Sequence, residues 1–329
     1  MRGDRMGRLR PPGRAFAAAA AAAAAVAAVA VAALGATSCS VIGAGASPAP
    51  AGGLVRVVAA EDMWGSIASQ LGGTHAAVVS LVNSPNADPH LFEASAADAA
   101  AVSLARVVIY NGANYDTWMA QLIGAGGTGP RRIVEASRVL GLVGPRVNPH
   151  LWYDTARLPE VARAIEGALA RADPPGRRYF AARLRAFDRS LRPIMAVISE
   201  IRSRYAGTRV AITEPLPGYL LEQSGLVSAT PAGFALAVEN GVEPSPADTE
   251  RTDSLISGRQ VAALIVNRQT VSSVTSGVAA AARRAGVPVV AMTETLPGGA
   301  TFQQWQLSQD EALLRALGRP GGKKAAPHG

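Results

Sequence analysis

The sequence predicts an α/β protein of two lobes, each a mostly parallel sheet flanked by helices, joined by one long rigid helix. Short runs rich in β-branched residues alternate with helical stretches, and the runs are apolar almost throughout. Such runs are typical of parallel strands that helices cover on both faces. The 329 residues are 49% hydrophobic, which is enough for two cores and excludes a wholly disordered chain.

The alternating pattern divides the folded part into residues 54–172 and residues 208–318. The predicted strands are Leu54–Ala60, Ala76–Val82, Arg106–Tyr110 and Arg132–Glu135 in the first part, and Arg209–Thr213, Val261–Val266 and Val287–Ala291 in the second. The clearest helical patterns are Thr155–Arg171 and Gln303–Leu317. We predict one metal-binding lobe from each part.

Residues 173–207 predict the long helix between the lobes. Their apolar residues recur at steps of four and three, which is the spacing of one helical face. They are Phe180, Leu184, Phe187, Leu191, Ile194, Ile198, Ile201 and Tyr205. Asp173-Pro174-Pro175 is a start signal and Ala206-Gly207 a stop. Pro193 inside the pattern predicts a kink. Such a helix would hold two lobes at a fixed separation.

The N-terminus has the pattern of an export signal. An arginine-rich head precedes the apolar run Ala15–Leu34, and small residues then lead to Cys39, the only cysteine. We interpret residues 1–38 as a signal peptide, and Ala36-Thr37-Ser38-Cys39 resembles a bacterial lipobox in which Cys39 is lipidated. The alternative is an uncleaved membrane anchor. The lipid would hold the exported protein on the outer face of the cell membrane.

Two segments next to the folded part are rich in small residues, proline and glycine. Residues 39–53 are interpreted as a flexible tether and residues 319–329 as a disordered tail. A single cysteine excludes an intramolecular disulfide, Cys-rich zinc ribbons and iron–sulfur clusters.

The positive charge does not indicate a nucleic-acid partner. Residues 1–38 hold five arginines and one acidic residue, so they account for +4 of the net charge of +8. Lys323 and Lys324 carry two of the remaining positive charges and lie in the tail. The folded part is then almost neutral, whereas a phosphate-binding surface is strongly basic.

Two of the four histidines occur in similar phrases. Asp88-Pro89-His90-Leu91-Phe92 is echoed by Asn148-Pro149-His150-Leu151-Trp152. In each phrase a proline restricts the backbone before the histidine, and an aromatic residue follows. Two restrained loop imidazoles suit a common metal ion better than two unrelated surface histidines do.

Two glutamates repeat a second pattern, in the other half of the chain. Glu214 follows the strand Arg209–Thr213, and Glu294 follows Val287–Ala291. Ligands of open α/β sheets bind at the carboxyl ends of strands. Two imidazoles and two carboxylates make a first-row metal site, although either glutamate alone could be a solvated residue or a charge at a helix N-terminus.

With these residues assembled, the chain resembles the zinc/manganese solute-binding lipoproteins of bacterial ABC transporters. The resemblance covers nearly all of 54–317 and is most specific from Asp88 to Asp98, in the phrase around His150 and in the long helix. It implies two α/β lobes with the ion between them. By this resemblance His90 and His150 match the ligands of the first lobe.

The resemblance also assigns the two glutamates. Glu214 matches a third ligand that is His in many zinc members and Glu in several manganese members. Glu294 matches a fourth that is usually Asp, which makes it the least typical of the set. The implied ligand is one divalent transition metal ion, zinc or manganese, carried as transported cargo.

The implied function is capture of this ion outside the membrane and delivery to an ABC permease and its ATPase. We expect a monomer that is not an enzyme. Two alternatives stay open: a metal-dependent hydrolase, in which Glu61 would be the base if Glu294 is not a ligand, and a surface adhesin or structural lipoprotein. From ordinary pKa values, metal affinity should be nearly flat above pH ~7.

Overall fold

The first half of the chain forms a four-stranded parallel sheet with the strand order β2-β1-β3-β4. The computed structural model describes residues 53–86, 89–127 and 129–319, without the side chain of His90. The elements of this half are β1 Val55–Glu61, α1 Asp62–Gly72, β2 Ala76–Val82, α2 Ala96–Leu104, β3 Val107–Tyr110, α3 Thr117–Ala125, β4 Arg132–Glu135, α4 Ala136–Val139 and α5 Leu158–Ala172.

Two helices connect the halves, α6 Arg177–Ser190 and α7 Arg192–Tyr205. The expected single helix is therefore divided at Leu191, two residues before Pro193. Proline has no N–H to donate, so it is tolerated in the first turn of a helix but interrupts a helix interior. Pro193 lies in the first turn of α7, which explains where the division falls.

The second half forms another four-stranded parallel sheet, with the strand order β6-β5-β7-β8. Its elements are β5 Arg209–Ile212, α8 Gly218–Ser224, β6 Val227–Ser228, α9 Ala232–Glu239, α10 Pro246–Ser257, β7 Leu264–Asn267, α11 Ser273–Ala285, β8 Val289–Met292 and α12 Phe302–Leu317. The predicted α/β class and two parallel sheets are confirmed. The two-residue edge strand β6 was not predicted.

The largest apolar core runs through both lobes. It contains Trp64 of α1, Phe180 and Ile194 on the buried face of the linking helices, and Trp305 of α12, all buried. Residues from both sheets belong to the same cluster. The apolar helical face predicted for residues 173–207 is thus the surface on which both lobes pack.

Polar contacts hold α12 against α1 across the lobes. The backbone N–H of Phe302 donates to Oγ of Ser66 at 3.0 Å. The side-chain amides of Gln70 and Gln303 exchange two hydrogen bonds of 2.9 Å. Because the core and these bonds act together, the lobes do not form two independent packing units.

A capping box begins α2. Oγ of Ser95 accepts a hydrogen bond from the N–H of Asp98, and the Asp98 carboxylate accepts one from the N–H of Ser95. None of the helices within the described ranges is long and apolar enough to cross a membrane. The signal peptide, Cys39, the tether up to Gly52 and the tail from Pro320 lie outside those ranges.

Candidate metal centre

His150 is fully buried and its ring is held in one orientation. It precedes the short 3-10 segment Leu151–Tyr153, and its Nδ1 lies 2.8 Å from Oδ1 of Asn148. The side-chain nitrogen of Asn148 donates to the carbonyl of Pro215 at 2.9 Å, so its oxygen faces the imidazole and can only accept. Nδ1 of His150 therefore carries the proton, and Nε2 keeps a lone pair for a metal.

Two carboxylates face that nitrogen. Oε2 of Glu294 lies 3.8 Å from Nε2 of His150, and Oε1 of Glu239 lies 3.7 Å from it. From the sequence, Glu294 was proposed as a metal ligand because of its position after β8, but Glu239 was not proposed. His150 of the first lobe and Glu294 of the second thus lie close together in the structure.

The Glu294 carboxylate is completely buried and held by both lobes. The Tyr115 hydroxyl donates to Oε2 at 2.5 Å, and the Asn267 amide donates to Oε1 at 2.6 Å. Its backbone N–H donates to Oε1 of Gln269 at 2.5 Å. A fixed carboxylate needs little reordering when it binds an ion.

Tyr115 reaches the site from a loop with an unusual backbone. Gly112, Ala113 and Asn114 have φ values of +74°, +52° and +65°, which is the left-handed region. Oδ1 of Asp116 accepts the N–H of Gly112 and stabilises the turn. Left-handed residues other than glycine cost free energy and cluster at functional sites.

Glu214 lies two residues after the end of β5 and is buried. Thr270 donates to its Oε2 at 2.7 Å, whereas Oε1 has no hydrogen-bond partner among the described residues. Burial, and then the charges of Glu294 and Glu239, raise the pKa of Glu214 to about 8. A carboxylate in this environment is stabilised by a cation.

His90 lies in another short 3-10 segment, Pro89–Leu91, but its side chain is outside the described part of the structure. Within that part, no group of three or more His, Cys, Asp or Glu side chains forms a set that could hold a metal ion by itself. The site geometry therefore rests on the pairwise relations of His150, Glu214, Glu239 and Glu294.

A cavity of about 540 Å³ leads towards these residues. Glu239, Gln269 and Thr270 belong to its wall, and the last two hydrogen-bond Glu294 and Glu214. Leu91 and Val271 also line it and are strongly exposed. The cavity thus borders Glu239 directly and the other two glutamates through residues that hydrogen-bond them.

Glu61 follows β1 but is paired inside its own lobe. It is buried, and burial followed by the charge and hydrogen bond of Asp116 raises the pKa of Glu61 well above its ordinary value. Burial likewise raises the pKa of Asp116 to about 6. Two adjacent buried carboxyls favour sharing a proton, so Glu61 is poorly suited to act as an ionised base.

Sequence reasoning did not assign roles to Tyr115, Asn267 or Glu239. Asn267 is the last residue of β7, so the strand-end rule that selected the two glutamates could have found it. Glu239 ends a helix, where no general rule predicts a ligand. His75 is buried against Asp173 with Nδ1 2.9 Å from Oδ2, and its ring stacks on Tyr179, so it takes no part in the candidate site.

Comparison with known proteins identifies the family. The model of the periplasmic component A of the zinc-uptake complex, ZnuA, matches residues 57–316. The chain belongs to the ZnuA family. The zinc-binding protein TroA of Treponema pallidum (strain Nichols) is 26% identical over 190 residues, 55% of this chain and 60% of TroA. The manganese-binding lipoprotein MntA of Bacillus subtilis (strain 168) is 28% identical over 144 residues, 42% and 46% of the two chains.

These alignments span about half the length of the curated ZnuA-family relatives. Solved structures show the same fold over more of the chain. FpvC of Pseudomonas aeruginosa in complex with Mn²⁺ superposes with a TM-score of 0.67 at 20% identity, over 80% of this chain and 98% of FpvC. The two-lobe architecture expected from the sequence is therefore the architecture of this ZnuA-family chain.

Proposed function

We propose that the protein captures a divalent transition metal ion, zinc or manganese, outside the membrane and delivers it to an ABC permease driven by its ATPase. One observation carries the proposal: a buried imidazole lone pair of the first lobe faces two carboxylates of the second, the partly exposed Glu239 at 3.7 Å and the buried Glu294 at 3.8 Å. Two ligand atoms about 2.1 Å from one ion lie about 3.4 Å apart at a tetrahedral angle and farther apart at wider angles.

The proposed ligands are His90, His150, Glu214 and Glu294. The side chains of His150, Glu214 and Glu294 are described, and all three are buried. The two glutamates lie in loops that follow strands, and His150 follows Pro149 in a loop. Relatives are named for zinc or manganese binding, which supports an ion of this class. The mixed nitrogen and oxygen donors suit both metals.

Metal titration tests this function directly. Purified metal-free protein should bind one Zn²⁺ or Mn²⁺, measured by calorimetry or by competition with a chelator. His90→Ala and His150→Ala should each weaken binding by at least about 100-fold, because changes even outside the direct ligands cost 10–100-fold. His328→Ala, in the predicted tail, is the matched control. Unchanged affinity in both site variants would reject the site.

The proposed role does not include catalysis. The one candidate base from sequence, Glu61, shares a buried site with Asp116, and burial together with the Asp116 charge raises the pKa of Glu61 and disfavours its ionised form. Metal-loaded protein should therefore show no hydrolase activity on ester, phosphate or peptide substrates. Saturable, metal-dependent turnover that disappears in Glu61→Gln would instead support the hydrolase alternative.

The second alternative is an adhesin. A test of metal uptake in the cell distinguishes an adhesin from a protein that captures metal for transport. Deletion of the gene should impair growth in metal-depleted medium, and added zinc or manganese should restore growth. His150→Ala should behave like the deletion. Normal growth and normal metal content in the deletion strain would favour an adhesin or structural role. Light scattering should show a monomer with and without metal.

We propose that the mature protein is exported and anchored through lipid on Cys39. Cys39→Ala should move the protein from the membrane to the soluble fraction, whereas Ser40→Ala should not. Retention of Cys39→Ala in the membrane would mean that the run Ala15–Leu34 is an uncleaved anchor.

A further inference from the structure

Glu239 occupies a position that is costly for the fold. It is the last residue of α9, and the final turn of that helix contains no basic residue. A helix C-terminus carries partial negative charge, so a carboxylate there is disfavoured. The side chain is only 10% exposed, which removes most of the screening that water would give. The carboxylate of Glu239 therefore lies where the helix end disfavours its charge, next to the proposed metal site.

The geometry of Glu239 towards His150 matches that of Glu294. Its Oε1 lies 3.7 Å from Nε2, and Oε2 of Glu294 lies 3.8 Å from the same nitrogen. Because Nδ1 of His150 is bonded to Asn148, both carboxylates face the nitrogen that keeps its lone pair. An ion bound to Nε2 would therefore have an oxygen of each of two glutamates close by.

Glu214 supplies an independent sign that this group of carboxylates suits a cation. Its Oε1 is buried without a hydrogen-bond partner among the described residues, although Thr270 satisfies Oε2. A buried carboxylate oxygen without a donor is unfavourable unless a cation occupies the space. The Glu239 charge acts on Glu214 as well as on Tyr115, so the three glutamates share one neighbourhood.

Glu239 also lies on the path from solvent. It lines the cavity of about 540 Å³, whereas Glu214 and Glu294 do not belong to the cavity wall. An ion that arrives through the cavity meets Glu239 before it reaches the other carboxylates.

We propose that Glu239 is a fifth protein ligand of the captured ion and raises the affinity for Mn²⁺ relative to Zn²⁺. This inference rests on the proposed capture function and adds a residue to its site. Zinc in proteins is usually satisfied by four donors in a tetrahedron. Manganese takes more ligands and prefers carboxylate oxygens. Three carboxylates with two imidazoles therefore match manganese better than the four-ligand set does.

The test compares Glu239→Gln with wild type and with Glu243→Gln. Glutamine has the shape of glutamate, and Glu243 is exposed in the same cavity, so that variant controls for loss of a nearby charge. Mn²⁺ and Zn²⁺ affinities are measured separately by chelator competition. Circular dichroism and thermal unfolding establish that each variant is folded.

Glu239→Gln should weaken Mn²⁺ binding by at least about 100-fold, since loss of partners outside the direct ligands already costs 10–100-fold. Zn²⁺ binding should weaken at least tenfold less, because four donors remain. Glu243→Gln should leave both affinities within threefold of wild type. Equal losses for both ions, or no loss for either, would overturn the ligand assignment. Failure of wild type to bind either ion would reject the capture function itself.

Discussion

Oδ1 of Asn148 accepts a 2.8 Å hydrogen bond from Nδ1 of His150. The same asparagine donates to the carbonyl of Pro215 in the other lobe, and its own carbonyl accepts the Tyr219 hydroxyl at 2.9 Å. Asn148 thus sets the tautomer of the proposed ligand and ties its loop to the residue after Glu214. A substitution at Asn148 tests both consequences.

Asn148→Ala should lower metal affinity by about 10–100-fold, because partners that orient a ligating histidine have effects of this size. Nε2 would no longer be fixed as the lone-pair nitrogen. Chelator competition at pH 7.5 measures the loss. Asn83→Ala removes an exposed asparagine of the first lobe and should bind metal like wild type. An unchanged affinity in Asn148→Ala would mean that other contacts orient the ring.

The pH dependence of binding should extend higher than ordinary carboxyl pKa values suggest. Burial, then Glu294 and Glu239, raise the pKa of Glu214 to about 8 in the metal-free protein. An ion that binds Glu214 must displace this proton. Log affinity should therefore rise by about one unit per pH unit between pH ~6.5 and 8 and flatten above pH ~8. Below pH ~6.5 the histidines should steepen the dependence.

Chelator competition between pH 6 and 9 measures this profile. Glu214→Gln binds more weakly, but its profile should lack the rise between pH 7 and 8 because glutamine does not titrate. A wild-type profile that is already flat from pH 7 would contradict the proton assignment at Glu214.

The metal-free protein should be more stable at pH 5 than at pH 8.5. Burial raises the pKa of Glu214 to about 8 and that of Asp62 to about 7. The native state then binds more protons than the unfolded chain above pH ~4.5, so stability falls as pH rises through these values. Denaturant unfolding across pH 5–9 measures the change. In Glu214→Gln the free energy of unfolding should fall less steeply with pH. A wild-type free energy of unfolding that increases between pH 5 and 9 would contradict the prediction.

Asp62 should control the order of the loop that carries Glu294. Its carboxylate oxygens lie 3.0 and 3.2 Å from the backbone nitrogen of Leu296, across the lobes. Asp62→Ala should accelerate hydrogen exchange of the Leu296 amide and weaken metal binding. Exchange monitored by mass spectrometry checks the first effect. Asp98→Ala, which removes the α2 capping box, is a control that should leave the Leu296 segment unchanged.

The strands could be predicted because parallel strands covered on both faces are almost wholly apolar. β2 and β4 match the predicted bounds residue for residue. The edge strand β6 has two exposed residues, so it has no apolar run to reveal it. Leu191 divides the linking helix because Pro193 favours a helix start over a simple kink in one helix.

The site was partly predictable for the same physical reason. Glu214 and Glu294 could be proposed as ligands because they follow predicted strands. His150 could be proposed because it follows a proline in a loop. Glu239 and Tyr115 reach the site from a helix end and a left-handed loop, and neither position follows from sequence periodicity. The raised pKa of Glu214 depends on burial beside other carboxylates, which only the folded arrangement produces. With this raised pKa we expect metal affinity to keep rising with pH above pH 7, instead of the flat profile expected from ordinary pKa values.

The core that passes through both lobes has a consequence for how the chain can be divided. Ile194 and Ile198 of α7 pack in the same cluster as Ile67 and Leu71 of α1. A fragment that ends before Arg192 would leave apolar surface of the first half uncovered and should aggregate. The intact protein should unfold in one cooperative calorimetric transition, and the two sheets, despite their similar topology, should not be expressible as separate soluble domains.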